Sequence, residues 1–314
     1  MKILKHLKHF LKFLPSSVHL KFGLILVVIF SANYLAKGKC KAIFANGSVP
    51  VKLAGGFQFA EGPSCDKEGN IFFTDQNSNK IYKWSIQNKL TTFGDNFGRA
   101  NGTYFTKDGA LITCSDEKNE LWSIAPNGQI TILIRDFEGK KLNGPNDLWI
   151  APDGGMYLTD PFYGRPWWDH QKSELQGENV YYLAPGSNKL IKIIDDLVQP
   201  NGIVGTPDGK YLYVADIRSK KTWRYKIGTK GELTDKQLFA EKGSDGMTID
   251  NRGNVYLTGN GVTVFTKDGK EIAKISTPES WTTNVCFGGK DRHLLFITAV
   301  KSVYGMRMKT KGVE

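Results

Sequence analysis

The chain has 314 residues, of which 40% are hydrophobic and 23% charged. This composition excludes a largely disordered or fibrous protein and predicts a folded chain with a substantial core. The formal net charge of +11 raises the question of a nucleic-acid or membrane partner. The body of the chain has no Lys/Arg stripe with interleaved aromatic residues, so we predict no nucleic-acid binding.

The N-terminal segment carries more than half of that net charge. Residues 1–38 contain six lysines and no acidic residue, and they include a mostly apolar stretch at 22–36. This order of basic, apolar and small residues is typical of a secretory signal, and the stretch is short for a membrane span of about 20 residues. We predict a signal peptide over 1–38 and a secreted or periplasmic protein. The alternative is an uncleaved membrane anchor at 22–36, which would be the single membrane contact.

The four cysteines give no sign of a zinc or dithiol site, because none belongs to a Cys-x-x-Cys pair. Cys114 and Cys286 lie in apolar runs and are predicted to be buried. A disulfide between Cys40 and Cys65 is a pairing that an oxidising compartment would allow.

A repeat runs through the rest of the chain at spacings of 39 to 55 residues. Each repeat is a polar turn that leads into an apolar run: DKEGNIFFTD (66–75), TKDGALITCSD (106–116), APDGGMYLTD (151–160), TPDGKYLYVAD (206–216), DNRGNVYLTG (250–259) and GKDRHLLFITA (289–299). Such a pattern indicates a tight turn followed by a strand, and helical periodicity is absent. Six units of this length predict an all-β, six-bladed propeller with four-stranded blades around a central channel, forming one domain over 39–314.

One polar residue stands eight positions before the Gly or Arg that anchors the turn of each repeat: Glu61, Asn101, Asn146, Asn201, Asp245 and Asn284. Equivalent positions of propeller repeats surround the axis, so these side chains are expected to converge on the channel. Carboxylate and amide oxygens without His or Cys suit a hard cation, and Ca²⁺ accepts about six to eight oxygens. We predict one axial Ca²⁺ held by Glu61, Asn146, Asn201 and Asp245, with Zn²⁺, Mn²⁺ or Mg²⁺ as substitutes. A hydrogen-bonded polar plug is the alternative.

Several longer stretches carry distinctive motifs: GFQFAEGP (56–63), RANGTYFTKDGALITC (99–114), EGKKLNGPNDLWIAPDGGMYLTDPFYG (138–164), LVQPNGIVGTPDGKYLYVAD (197–216), SDGMTID (244–250) and NVCFGGKDRHLLFITA (284–299). With them the chain from Leu53 to Met308 resembles the gluconolactonase and senescence-marker-protein (regucalcin) family, especially its secreted bacterial members. The resemblance implies one divalent ion bound by the residues of the EGP, PND, PNG and DGM-like motifs, which here are Glu61, Asn146, Asn201 and Asp245.

The resemblance also implies an activity, the hydrolysis of a sugar-acid lactone. The ion would polarise the lactone carbonyl, and Asp245 would assist water as the catalytic carboxylate. The alternative that Asp245 is only a ligand of the ion, and not a base, stays open. Because phosphorus-ester hydrolases resemble the same architecture, an organophosphate or aryl-ester hydrolase is the first alternative, and a non-catalytic ligand-binding propeller is the second.

The longest spacing between repeats contains an aromatic loop at 160–178, and long loops in compact folds are often functional. We predict that Tyr163 and Trp167 contact a small-molecule lactone or ester, with coverage of apolar surface by the tryptophans as an equal alternative. Trp281, which precedes Asn284 by three residues, is expected at the same mouth. Asn101 and Asn284 are predicted substrate contacts because they complete the ring without belonging to the four ligands. Gly144 replaces the substrate-facing Arg that the animal members of the family carry.

Four acidic residues follow the strands of the repeats at one offset: Asp75, Asp116, Asp160 and Asp216. They are predicted to form hydrogen bonds at strand ends that join neighbouring blades.

Overall fold

The structure is a computed structural model that describes residues 43–313. The predicted signal peptide, the alternative anchor at 22–36 and Cys40 lie outside these residues. Within them, no helix has the length and apolar character needed to cross a membrane. Apart from a short 3-10 turn at Gln76–Ser78, the regular elements are strands.

The strands follow one another along the chain as β1 (Val51–Cys65), β2 (Ile71–Asp75), β3 (Lys80–Trp84), β4 (Leu90–Asp95), β5 (Ala100–Phe105), β6 (Leu111–Ser115), β7 (Glu120–Ile124), β8 (Ile130–Ile134), β9 (Leu148–Ile150), β10 (Met156–Asp160), β11 (Asn179–Leu183), β12 (Leu190–Ile194), β13 (Pro200–Gly205), β14 (Tyr211–Asp216), β15 (Lys221–Ile227), β16 (Leu233–Ala240), β17 (Met247–Ile249), β18 (Val255–Leu257), β19 (Val262–Phe265), β20 (Glu271–Ile275), β21 (Asn284–Gly288) and β22 (Leu294–Arg307). Successive strands pair antiparallel, so the sheets are meanders.

Between residues 43 and 313 the strands form five sheets. Four sheets are four-stranded, with the orders β5-β6-β7-β8, β12-β11-β10-β9, β13-β14-β15-β16 and β17-β18-β19-β20. The fifth is six-stranded, in the order β21-β22-β1-β2-β3-β4. The prediction of an all-β propeller is confirmed, but the prediction of six blades is wrong, because the propeller has five.

The reason for the lower number lies in strand β1. Its first half pairs with β22, where Val51 lies opposite Gly305, and its second half pairs with β2, where Cys65 lies opposite Ile71. The first and last repeats therefore belong to one continuous sheet. This pairing joins the two ends of the described chain and closes the propeller.

The hydrophobic core is distributed between neighbouring sheets. One large cluster joins Tyr157 of β10, Val214 of β14 and Val255 of β18, which are all buried. Because a sheet that lies between two neighbours is buried on both faces, its strands have continuous apolar runs and not alternating patterns. Cys114 and Cys286 are buried in these layers, as predicted.

Threonine hydroxyls tie the sheets together near the axis. Thr74 donates to the carbonyl oxygen of Asn101 at 3.1 Å, and Thr159 donates to that of Asn201 at 2.7 Å. Thr258 donates to the carbonyl of Thr283 at 2.9 Å and joins the β17–β20 sheet to the six-stranded sheet in the same way. These bonds satisfy buried polar groups and fix the relative height of the inner strands.

The glycine that follows most of the predicted ring residues is explained by the close approach of neighbouring inner strands. A Cβ at these positions would lie 2.0–2.7 Å from the ring residue of the next repeat: Gly62 against Asn101, Gly102 against Asn146, Gly202 against Asp245 and Gly246 against Asn284. The glycines therefore bring the polar residues side by side around the axis.

We expect Gly102→Ala to lower the free energy of unfolding by about 1–3 kcal/mol, because the new methyl group would meet the Asn146 carbonyl at 2.6 Å. Gly55→Ala is the matched control, since a Cβ there would meet the flexible end of Lys52. Urea denaturation of both variants measures the difference. Equal unfolding midpoints would show that the inner strands tolerate the methyl group.

Three of the four recurrent aspartates organise the entry to an inner strand. Each accepts backbone N–H bonds from the residues two and three positions before a ring residue: Asp75 from Gln58 and Phe59, Asp160 from Asn143 and Gly144, and Asp216 from Val198 and Gln199. These bonds stay within one sheet, so the prediction that they join neighbouring blades is wrong for these three. Asp116 differs and is described with the aromatic loop.

We expect the stability of the protein to depend on pH through Asp160, because burial raises the pKa of this carboxyl to about 7. The folded state then binds the proton more tightly than the unfolded state, whose pKa is about 4. The contribution of Asp160 to the free energy of unfolding is fully present below pH ~4. It is lost as the pH rises through 7, and the loss reaches about 4 kcal/mol. Urea unfolding in the presence of a chelator at several pH values should show that the free energy of unfolding of Asp160→Asn rises relative to that of the wild type as the pH increases across this window. The same pH dependence in the variant and the wild type would contradict the assignment of this effect to Asp160. Asp268→Asn is the control, because Asp268 is exposed.

Candidate active site

The six predicted ring residues lie around the axis, where the inner strands β5, β9, β13, β17 and β21 begin and where β1 reaches its buried half. Five of them are buried: Glu61, Asn101, Asn146, Asn201 and Asn284. Asp245 is half-buried. The structure thus brings together side chains that are far apart in the sequence, as the repeat pattern predicts.

Asp245 is held by two neighbours on opposite oxygens. The indole nitrogen of Trp281 donates to Oδ2 at 2.6 Å, and Nδ2 of Asn201 donates to Oδ1 at 3.0 Å. Burial raises the pKa of Asp245 to about 6, and these two hydrogen bonds oppose the rise. The carboxyl group therefore has a fixed orientation and a pKa close to neutrality.

Asn201 has a buried acceptor without a partner. Its Nδ2 donates to Asp245 and also to the hydroxyl oxygen of Tyr163, at 2.7 Å. Its Oδ1 is buried and has no hydrogen-bond partner among residues 43–313. A buried acceptor left unsatisfied is costly, so this oxygen is placed to receive a cation or a donor from a ligand.

Glu61 is the second carboxylate of the ring. Burial raises its pKa well above the usual value, and the nearby charges of Asp245 and Asp147 raise it further. The Gly62 N–H donates to Oε2 at 2.9 Å, which compensates in part. Two buried carboxylates that repel one another are an arrangement that a bound divalent cation would stabilise.

The donor set fits a hard cation. In the described part of the chain, no group of three or more His, Cys, Asp and Glu residues is arranged to hold a metal ion. The ring instead combines the carboxylates of Glu61 and Asp245 with amide oxygens, and oxygen donors of this mixed kind suit Ca²⁺ better than a transition metal. Asn146, buried beside Asn101 and Asn201 in the ring, completes the predicted set.

Asn284 is turned toward a residue that the sequence analysis missed. Its Nδ2 donates to Oδ2 of Asp147 at 3.3 Å, and its Oδ1 accepts from the Val285 N–H at 2.8 Å. Asp147 is buried and also accepts from the Leu148 N–H. Its signal in the sequence is that Asp follows the ring residue where four repeats have glycine.

The aromatic loop is fastened to Asp116 of the preceding sheet. The carboxylate accepts from Nε1 of Trp167 at 2.9 Å and from Nε of Arg165 at 3.0 Å, and the Asp116 carbonyl accepts from Trp168. Burial raises the pKa of Asp116, whereas the charge of Arg165 lowers it. Neither Asp116 nor Arg165 was among the predicted site residues, because a contact across 49 positions leaves no local pattern.

The predicted aromatic residues occupy different environments. Tyr163 and Trp281 are partly exposed, at 37% and 38%, and both bond to the ring. Trp167 is directed to Asp116 and lies against Arg99, whose guanidinium carbon is 4.6 Å from its ring. Trp168 is buried and stacks on the imidazole of His170. Its ring lies 2.7 Å from where a Cβ on Gly144 would be, so Gly144 has no room for a side chain.

With this geometry established, comparison with known proteins decides the family. The SMP-30/Gluconolactonase/LRE-like region matches residues 59–301. The chain belongs to this family. It is 30% identical over 297 residues to a gluconolactonase from Zymomonas mobilis, covering 84% of this chain and 83% of the relative. The predicted membership of this family is therefore confirmed, and the chain is an enzyme of the lactonase class.

Solved structures are similar as well. A gluconolactonase from Xanthomonas campestris superimposes with a TM-score of 0.79 at 27% identity, covering 85% of this chain and 91% of that one. A calcium-binding regucalcin from Agrobacterium tumefaciens has a TM-score of 0.70 at 22% identity, covering 86% and 95%. The second likeness shows the fold alone.

Proposed function

We propose that this protein opens a sugar-acid lactone with the help of one Ca²⁺ bound on the propeller axis. The observation that carries the proposal is the buried, unpartnered Oδ1 of Asn201 beside the two carboxyl groups of Glu61 and Asp245. The relatives named as gluconolactonases supply the substrate class.

The ion would be held by Glu61, Asn146, Asn201 and Asp245. When bound, a divalent cation polarises the lactone carbonyl and stabilises the negative charge that develops on its oxygen. It would also offset the repulsion between the two buried carboxylates, which is why the residues of the ring are compatible with it.

Asp245 is our proposed base, which accepts a proton from the attacking water. Trp281 and Asn201 hold its two oxygens, so its orientation does not depend on the substrate. Burial raises the pKa of this carboxyl to about 6, which favours proton uptake, whereas a cation bound beside it would lower that pKa again.

Tyr163 is our proposed hydrogen-bond donor to the substrate. Its oxygen accepts from Asn201, which leaves its own O–H for a second partner. Burial raises the pKa of this phenol, with the Asp245 charge adding to the effect, so the proton stays on the oxygen at neutral pH. Trp281, whose indole nitrogen bonds to Asp245, is a further proposed contact. Asn101 is our further proposed contact, and Asn284 supports the site through Asp147.

The substrate class is tested by comparing hydrolysis rates for glucono-1,5-lactone, phenyl acetate and a phosphotriester in the presence of Ca²⁺. We expect the lactone to be preferred by at least about tenfold in kcat/KM, equivalent to about 1.4 kcal/mol. Faster cleavage of the phosphotriester or the aryl ester would replace the proposed substrate. The absence of turnover with all three would favour a ligand-binding propeller.

A further inference from the structure

Arg165 lies between the aromatic loop and the polar ring. Its Nε donates to Oδ2 of Asp116 at 3.0 Å. Its guanidinium carbon lies 5.0 Å from the ring centre of Tyr163 and 5.6 Å from that of Trp167. The side chain is thus held on one edge by a carboxylate and on its faces by aromatic rings, which fixes its position.

The two terminal nitrogens of Arg165 are available for a ligand. The single hydrogen bond that this side chain makes to residues 43–313 uses Nε, so the terminal N–H groups have no acceptor there. The side chain is only 19% exposed. A guanidinium is always charged, so these partly exposed terminal N–H groups bond to solvent or to a ligand that replaces it.

Arg165 is within reach of the proposed reaction centre. The ring of Tyr163 lies against it, and the hydroxyl group of that tyrosine bonds to Asn201, which in turn bonds to Asp245. Arg165 is thus separated from the polar ring by the single side chain of Tyr163, which is partly exposed, so a lactone bound at the ring would lie close to the guanidinium.

The local charge favours a neutral ligand. The buried carboxylate of Asp116 is paired with Arg165 and cancels its charge, so the mouth offers hydrogen-bond donors without a net positive field. Position 144 cannot supply such a donor in place of Arg165, because the indole of Trp168 occupies the space that a side chain on Gly144 would need.

We propose that Arg165 is a specificity-determining residue that selects polyhydroxylated lactones by donating from its terminal nitrogens to their ring hydroxyl oxygens. This inference rests on the proposed lactonase function and adds the feature of the substrate that is recognised. An unsubstituted lactone lacks those oxygens and would leave the donors unpaired, so the site discriminates by a missing acceptor.

The test compares glucono-1,5-lactone with δ-valerolactone, which has the same ring without hydroxyl groups. We expect Arg165→Met to raise KM for gluconolactone by about 10- to 100-fold with kcat within about threefold, and to leave KM for δ-valerolactone within about twofold. Arg165→Lys should recover part of the selectivity. Arg224→Met is the matched control, because Arg224 stacks on Tyr211 at the same 5.0 Å and lies on β15.

Equal effects of Arg165→Met on the two lactones, or no effect on gluconolactone, would overturn the proposal. Turnover of neither lactone by the wild type would instead overturn the proposed function. In that case binding of glucose, a neutral polyhydroxylated ring, followed by tryptophan fluorescence, decides the inference: loss of binding in Arg165→Met supports it, and unchanged binding contradicts it.

Discussion

Glu61→Gln and Asp245→Asn are each expected to lower kcat/KM for the lactone by about 10³-fold or more. Each substitution removes a negative oxygen from the proposed cation site, and the second also removes the proposed base, a group whose contribution is typically about 10²- to 10⁴-fold. Neither variant should unfold the protein. Burial raises the pKa values of both groups, and the charge of Asp245 raises that of Glu61 further, so replacing either group by a neutral amide relieves an unfavourable buried charge.

The measurement pairs initial rates with melting temperature, with and without Ca²⁺. We expect Ca²⁺ to stabilise the wild type by about 2.7 kcal/mol at a concentration 100-fold above Kd, and to leave both variants unchanged. Asp208→Asn is the control, because this carboxylate is on the surface. Wild-type rates in the two variants would show that the ring is not the active site. Stabilisation of the two variants by Ca²⁺ to the same extent as the wild type would show that the ion binds elsewhere.

Asp116→Ala is expected to release the aromatic loop and to raise KM by about tenfold or more. The substitution removes the acceptor for Arg165 and Trp167 together, and each lost bond to a charged or buried partner costs about 1–3 kcal/mol. The loop should then become a site of tryptic cleavage at Arg165 or Lys172, since exposed mobile loops are preferred protease sites.

Asp169→Ala is the matched control for this experiment. Asp169 belongs to the same loop and pairs with Lys141, but its side chain is 79% exposed, so its loss should cost little. Steady-state kinetics and limited proteolysis separate the two cases. A protease-resistant Asp116→Ala protein with normal KM would show that the loop is held by its other contacts.

The regular features of the sequence predicted the inner part of the molecule well. The polar residue at one offset in every repeat predicted that Glu61, Asn201 and Asp245 meet on the axis, and they do. The turn and apolar run predicted strands such as β14 at YLYVAD. These features are local and repeated, so they are visible without knowledge of long-range pairing.

The number of blades could not be read in the same way. It depends on β1, whose two halves pair with different strands, and one partner, β22, comes from the opposite end of the described chain. The anchoring of the aromatic loop was missed for a related reason. Asp116 shares its offset with Asp75 and Asp160, yet it binds side chains of the loop where the others bind backbone N–H groups.

Whether lactone hydrolysis depends on a cation at the polar ring is tested most directly by pH-stat titration of glucono-1,5-lactone opening, with spontaneous hydrolysis subtracted. The protein is measured after chelation, after return of Ca²⁺, and after return of Mg²⁺, Mn²⁺ or Zn²⁺, with Glu61→Gln in parallel. We predict that chelation abolishes activity, that Ca²⁺ restores it in the wild type, and that Glu61→Gln stays inactive. Full activity of the chelated wild type would contradict the cation-dependent mechanism.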